Sequence, residues 1–96
     1  MKLYRIEVSP RARRQLEQKL ASRHLSPAVL RAEVREALQL LSRHPEAGPR
    51  DHDVVGVRRL LLSRSQHLLY YEVDHTRATI EIIALWHTAR GGAPPL

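Results

Sequence analysis

Three strand-length apolar runs crowd into the last forty residues of this 96-residue chain and limit its fold more than any other feature. Residues 57–62 (VRRLLL), 67–73 (HLLYYEV) and 79–87 (TIEIIALWH) are rich in branched and aromatic side chains, which pack well on a pleated surface. Only Ser63 to Gln66 separate the first run from the second, and Asp74 to Ala78 separate the second from the third. Connections this short cannot carry a parallel crossover, so the runs predict an antiparallel meander. Within the last run Ile80 to Leu85 is apolar on both faces apart from Glu81, which predicts a central strand.

The preceding residues predict one more strand and two helices. Tyr4, Ile6 and Val8 alternate with Leu3, Arg5 and Glu7, the pattern of a half-buried strand. Ser9-Pro10 then supplies an N-cap hydroxyl and a proline suited to the first helical position. Ala12, Leu16 and Leu20 follow at a spacing of four, with Arg11, Arg13, Arg14 and Lys19 outward. Ser26-Pro27 repeats the start signal, and Leu30, Val34, Ala37, Leu38 and Leu41 form the stripe of a second helix. It should stop before His44-Pro45, because a residue preceding proline avoids the helical region.

Few residues separate the helices, so they should pair as an antiparallel hairpin and bury their stripes on the sheet. Residues 44–56 hold two prolines, two glycines and three acids, a loop composition. Gly91, Gly92, Pro94 and Pro95 predict a flexible tail over 91–96. The expectation is one α+β domain spanning 1–96, in the order β-α-α-β-β-β, with the hairpin on one face of an antiparallel sheet.

Composition narrows the partners. Net charge is +6, and fourteen of the sixteen basic side chains are arginines, which suit bidentate contacts to carboxylate or phosphate. Nucleic acid or an acidic protein surface follows as the partner class. Cysteine is absent, which removes disulfides and thiolate metal sites and fits a reducing cytoplasm. No apolar run has membrane-spanning length, and charge interrupts the first residues too often for a signal peptide. The expected location is cytoplasmic, with no membrane contact, cofactor or metal. Asp51-His52-Asp53 lies in an acidic loop without a distant ligand, so it is read as solvated rather than as a metal site.

Strand parity sorts the candidate functional residues. On the last strand Ile80, Ile82, Ala84 and Trp86 should share one face, and Glu81, Ile83, Leu85 and His87 the other. A single helical hairpin covers one face only, so the opposite face should be partly open and gather His, Arg and Tyr. Tyr70 and Tyr71 point to opposite faces, so one of them should be core. Trp86 is either a plug or a contact; His87 and His67 are either strand-end caps or an acid–base pair. Arg58 or Arg59 should pair with Glu72 or Glu81 across the sheet. Arg90, beside two glycines, has few structural reasons to be there and is the leading contact residue. Phosphate-loop, dinucleotide-binding, HExxH and Ser-His-Asp signatures are missing from the sequence.

Taken in order, several pieces resemble the RelE/ParE superfamily of bacterial toxins from type II toxin–antitoxin modules. They are the strand running into Ser9-Pro10-Arg11-Ala12, the Leu41-Ser42-Arg43-His44-Pro45-Glu46-Ala47-Gly48 stretch, Val57-Arg58-Arg59-Leu60, the run at 68–73, and Ile83 to Arg90. The resemblance covers nearly the whole chain. It implies one of two activities: ribosome-dependent cleavage of messenger RNA, as in RelE-like members, or inhibition of DNA gyrase without nuclease activity, as in ParE-like members.

The RelE-type ribonuclease set has basic residues on the first meander strand, an arginine opening the next, another after the last strand, and a tyrosine in the tail. Here Arg58 and Arg59 fit the first role, His67 stands at the second, Arg90 lies near the third, and no tyrosine follows Trp86. The ending Trp86-His87-x-x-Arg90 is more similar to ParE-like proteins. The resemblance therefore implies a gyrase-inhibiting toxin of plasmid-stabilisation type, expected not to be an enzyme itself. Arg58, Trp86, His87 and Arg90 would face the target, and Arg11, Arg13, Arg14, Arg31 and Arg35 would bind an acidic, partly disordered antitoxin. The first alternative is an mRNA interferase acting on the ribosome with His67, His87, Arg58 and Arg64. The second is an inactive corepressor module.

Overall fold

The computed structural model describes residues 2–21, 26–91, 94 and 96; within the tail, Gly92 and Pro95 lie outside the described residues. Chain order is β1 (Arg5–Val8), α1 (Pro10–Leu20), α2 (Pro27–Arg43), β2 (Val57–Leu62), β3 (His67–Asp74) and β4 (Thr79–His87), then a 3-10 turn at Thr88–Arg90. Helix α1 begins as the sequence implies: Ser9 Oγ accepts the Ala12 amide at 3.1 Å, and Pro10 occupies the first turn. Ser26 stands at the N-cap of α2 without a side-chain hydrogen bond. The second helix ends at Arg43, before His44-Pro45, where the His44 amide closes on Leu40 O.

The sheet runs β1-β4-β3-β2, so β4 is central as expected, with β3 beside it. Both meander pairs are antiparallel. The first strand, however, joins β4 in parallel, which makes the sheet mixed. A tight hairpin dictates antiparallel pairing, but β1 and β4 are joined only through the rest of the chain, so packing sets their direction. Helix α1 rests on β4, and α2 reaches β1 and β2. Between the helices and the sheet Leu30, Leu41, Leu69, Tyr71, Ile80 and Ile82 form the main core. Each such side chain taken out of water contributes about 1.5–3 kcal/mol.

A β-bulge corrects the parity expected along β4. Tyr70 pairs with Ala84 while Tyr71 pairs with Ile82, so Ile83 is an extra residue in the ladder. Before the bulge Ile80 and Ile82 face the helices; after it Leu85 takes that face, while Ile83, Ala84 and Trp86 pack in a second cluster on the opposite side. Trp86 therefore does not share a face with Ile80 and Ile82. Beyond the end of β1, α1 takes over as the partner of β4, with Gln15 Oε1 accepting the Leu85 amide at 2.8 Å.

The face away from the helices is less open than one hairpin alone would leave it. Tyr70 is 1% exposed and Ala84 is fully buried there, in a cluster that includes Val54 of the 44–56 loop. Both tyrosines are thus core, not one. The loop is pinned to the sheet: on the edge strand β2 the Arg59 amide donates to Pro49 O and the Asp51 amide to Val57 O, and the Gly48 amide donates to Tyr71 Oη of β3 at 2.9 Å. Asp51 Oδ2 in turn accepts the amides of Asp53 and Val54. Among the described residues no group of three His, Cys, Asp or Glu side chains could hold a metal ion, and no helix is long and apolar enough to cross a membrane.

Candidate functional site

The bulge that turns Trp86 outward also turns His87 inward. His87 pairs with His67 at the last rung of the β3–β4 ladder, and the two imidazoles meet edge to face with centroids 4.9 Å apart. Both lie on the helix side of the sheet. The expected gathering of histidine and arginine on the opposite face does not occur.

His67 is completely buried, and neither ring nitrogen has a hydrogen-bond partner among the described residues. Burial first, then the nearby charges of Lys19 and His87, lower its pKa from 6.5 to about 4, against weaker opposing effects from Ser65 and Glu33. The folded state therefore holds this ring neutral while the unfolded chain protonates it, so its contribution to stability is complete above pH 6.5 and is lost as pH falls toward 4. The urea midpoint should drop across that window. His67→Leu should flatten the drop; an unchanged pH slope in the variant would refute this account.

His87 is half-buried, and its Nδ1 accepts the Ala89 amide at 3.0 Å, which leaves the proton of the neutral ring on Nε2. The bond belongs to the 3-10 turn at Thr88–Arg90, which folds Arg90 back so that its guanidinium carbon lies 4.2 Å from the centre of the Trp86 ring. Arg90 therefore has a structural reason to exist, a cation–π contact on the only tryptophan. Trp86 pairs with Leu68, and Leu68 with Leu61, which is 52% exposed. An aliphatic and aromatic row with a cation at its end thus crosses the outer face. The Trp86 indole nitrogen is buried without a partner among the described residues.

The remaining candidates are dispersed. Arg58 lies three residues back along β2 from Leu61, on the helix face, and donates from Nη1 to Gly48 O at 2.9 Å. Arg59 Nε stands 4.0 Å from Asp51 Oδ1, so neither arginine pairs with Glu72 or Glu81. Arg64, at the β2–β3 turn, is held near Glu33 and Glu36, with guanidinium N···O distances of 3.7 and 3.3 Å. On the helices Arg11, Arg13, Arg14, Arg31 and Arg35 are all exposed, a broad cationic surface.

Two further residues stand apart from the sequence expectation, since Lys19 was read as outward and Glu33 was passed over. Lys19, in the last turn of α1, is partly buried; burial and the Arg90 charge lower its pKa. Glu33 is a buried carboxylate whose two oxygens accept the amides of Arg64 and Ser65 at 2.8 and 2.7 Å. Burial works to raise its pKa, but hydrogen bonds from Ser65 and Arg64 and the Arg64 charge outweigh that and hold it below the usual carboxylate range. The only sequence signal for Glu33 was an acid beside a helix's apolar stripe.

A family model described as the ParE toxin of type II toxin–antitoxin systems, parDE, matches residues 6–91. The chain belongs to this family. Solved structures agree with the fold of a RelE/ParE toxin. The toxin–antitoxin complex RelBE2 of Mycobacterium tuberculosis is similar at 28% identity and a TM-score of 0.69, over 88% of this chain and 98% of that one. The chromosomal ParDE system of P. aeruginosa matches at 20% identity and 0.68, over 88% and 96%. The archaeal RelE–RelB complex of Pyrococcus horikoshii matches at 19% and 0.67, over 93% and 99%. None of the curated protein sequences matches the chain.

Proposed function

We propose that this ParE-family toxin acts by binding and inhibiting DNA gyrase, and that a cognate antitoxin neutralises it. The observation that carries the reading is the sealed state of His67. A general base must reach the proton it removes, and a fully buried imidazole with a pKa of about 4 has no access to an RNA hydroxyl. The arginines that would hold a scissile phosphate are turned to the protein itself, Arg58 to Gly48 O and Arg64 to two glutamates. The ParE family match supports the same branch.

In this reading Trp86 and Arg90 form the target contact, because tryptophan and arginine dominate binding hot spots. The arginines of α1 and α2 attract an acidic, partly disordered antitoxin segment, whose ordering on binding has to be offset by a large, charge-matched contact. Purified toxin should inhibit gyrase supercoiling, and Arg90→Ala should weaken inhibition by about tenfold or more. Full gyrase activity at saturating toxin would sink the proposal.

One observation favours a second reading, as an mRNA interferase: the 4.9 Å pairing of His67 with His87. Ribosome-dependent transcript cleavage that disappears in His87→Ala would select it.

A further inference from the structure

At the end of the sheet away from the His67–His87 rung, a cavity of about 250 Å³ opens between the 44–56 loop, the start of β2 and the end of β3. Arg50, Arg58, His75 and Glu46 line it, together with Val57 and Val73. Sites that enclose a whole small molecule usually run to roughly 300–1,000 Å³, so this space suits one compact group and its first few atoms. Its walls are fixed. Arg58 holds Gly48 O, Gly56 turns the loop at a φ of 83°, and the loop is hydrogen-bonded to β2 on both sides of Arg50.

Those two bonds, from the Asp51 amide to Val57 O and from the Arg59 amide to Pro49 O, bracket an antiparallel bridge between Arg50 and Arg58. The bridged residues exchange no backbone bond themselves. In a pair of that kind the Cα atoms approach to about 4.5 Å and the side chains share a face. Backbone pairing therefore sets two arginine side chains next to each other, and like charges placed this way are destabilising. The acid next in sequence does not relieve them, because alternation turns Asp51 and Arg59 to the other face, where they stand 4.0 Å apart. Among the described residues neither Arg50 nor Arg58 has a carboxylate within ion-pair distance.

The one carboxylate that lines the cavity is already engaged. His75 Nε2 stands 3.4 Å from Glu46 Oε1 and, facing a group that only accepts, carries the ring proton. Nδ1 then accepts from the Tyr4 hydroxyl at 2.7 Å, and the phenol packs edge to face on the imidazole. Phenol, imidazole and carboxylate thus form a chain that holds Glu46 to His75. Arg58 gives one N–H to Gly48 O, which leaves four of a guanidinium's five donors. Two neighbouring forks suit an anion with three terminal oxygens and nearly two negative charges. A carboxylate, with two oxygens and one charge, is satisfied by a single fork.

We propose that Arg50 and Arg58, in the cavity bounded by the His75–Glu46 pair, form a binding site for a dianionic phosphate group. The site lies apart from the Trp86–Arg90 contact, so it stands whichever target the toxin engages. Two sources share this chemistry, free phosphate and small phosphate monoesters.

The test is isothermal titration calorimetry of the full chain with glycerol 3-phosphate, inorganic phosphate, dimethyl phosphate and acetate, all at one ionic strength. The two dianions should bind saturably at a single site, and the tighter of them identifies the source. Dimethyl phosphate and acetate, with one charge each, should bind at least about tenfold more weakly. Arg50→Gln keeps the backbone bridge and should weaken dianion binding by about tenfold or more, the loss of charged hydrogen bonds. Arg77→Gln, on the turn between β3 and β4, removes the same charge outside the cavity and should leave binding unchanged. Equal affinity for acetate and the dianions, or equal losses in the two variants, would overturn the proposal.

Discussion

Gly48→Ala is expected to lower the unfolding free energy by about 3 kcal/mol, at the upper end of the usual cost of overpacking. A Cβ added there would meet Arg59 O at 2.6 Å and Tyr71 Oη at 2.9 Å. The carbonyl belongs to an edge strand already paired to β3, and the phenol sits in the core, so neither can retreat cheaply. The same shift would strain the Gly48 amide bond to Tyr71 Oη and the Arg58 bond to Gly48 O. Gly48 is one of the points that pin the 44–56 loop, and it covers the Tyr71 hydroxyl, so the loss should also expose Tyr71. Burial pushes that phenol's pKa up, only partly offset by the Gly48 amide and the Arg58 charge. Urea unfolding followed by tyrosine fluorescence measures the effect; a variant as stable as the parent would show that the loop floats free of the sheet.

Glu33→Ala is expected to cost about as much, roughly 2–4 kcal/mol, because it strips the acceptor from two amides at once. Glu33 is 7% exposed and spans from α2 to the turn between β2 and β3, so its carboxylate ties the helical layer to the tip of the meander. Its pKa is depressed in the folded state, so its contribution is complete above the ordinary value of 4.5 and disappears as pH falls through the lowered one. The deficit of the alanine variant should accordingly be full at neutral pH and shrink in acid. Glu33→Gln should recover only part of the loss, since its amide NH2 faces a donor. Paired urea titrations at pH 7 and pH 4 decide the matter, and a deficit that grew in acid would contradict it.

These two residues illustrate where sequence reading stops. The helices were legible because their signals are local: Ser-Pro starts, leucines at spacings of three and four, and a proline that forbids continuation past His44. The strands were legible for the same reason, and β2 ends at Leu62 as the apolar run implied. Nothing local marks Glu33 as a clamp, since its partners lie more than thirty residues away. Gly48 was visible as part of a family-like stretch, but the need for glycine comes from two atoms of the sheet beneath it.

The candidate site divides along the same line. Trp86, His87 and Arg90 were identifiable by residue type and by their position after the last apolar run. Their arrangement was not, because simple alternation carries no record of an extra residue at Ile83. That bulge sends Trp86 outward to meet Arg90 and His87 inward to meet His67, and so divides the expected cluster between the two faces.

Elements, their order and the cationic character of the helical hairpin follow from the sequence by itself, because they depend on neighbours within a turn or two. The parallel docking of β1, the inversion of parity in β4 and the sealing of His67 were decided only in the tertiary structure. Each depends on which distant backbone groups satisfy one another's hydrogen bonds, and on the charges that this pairing brings together away from water.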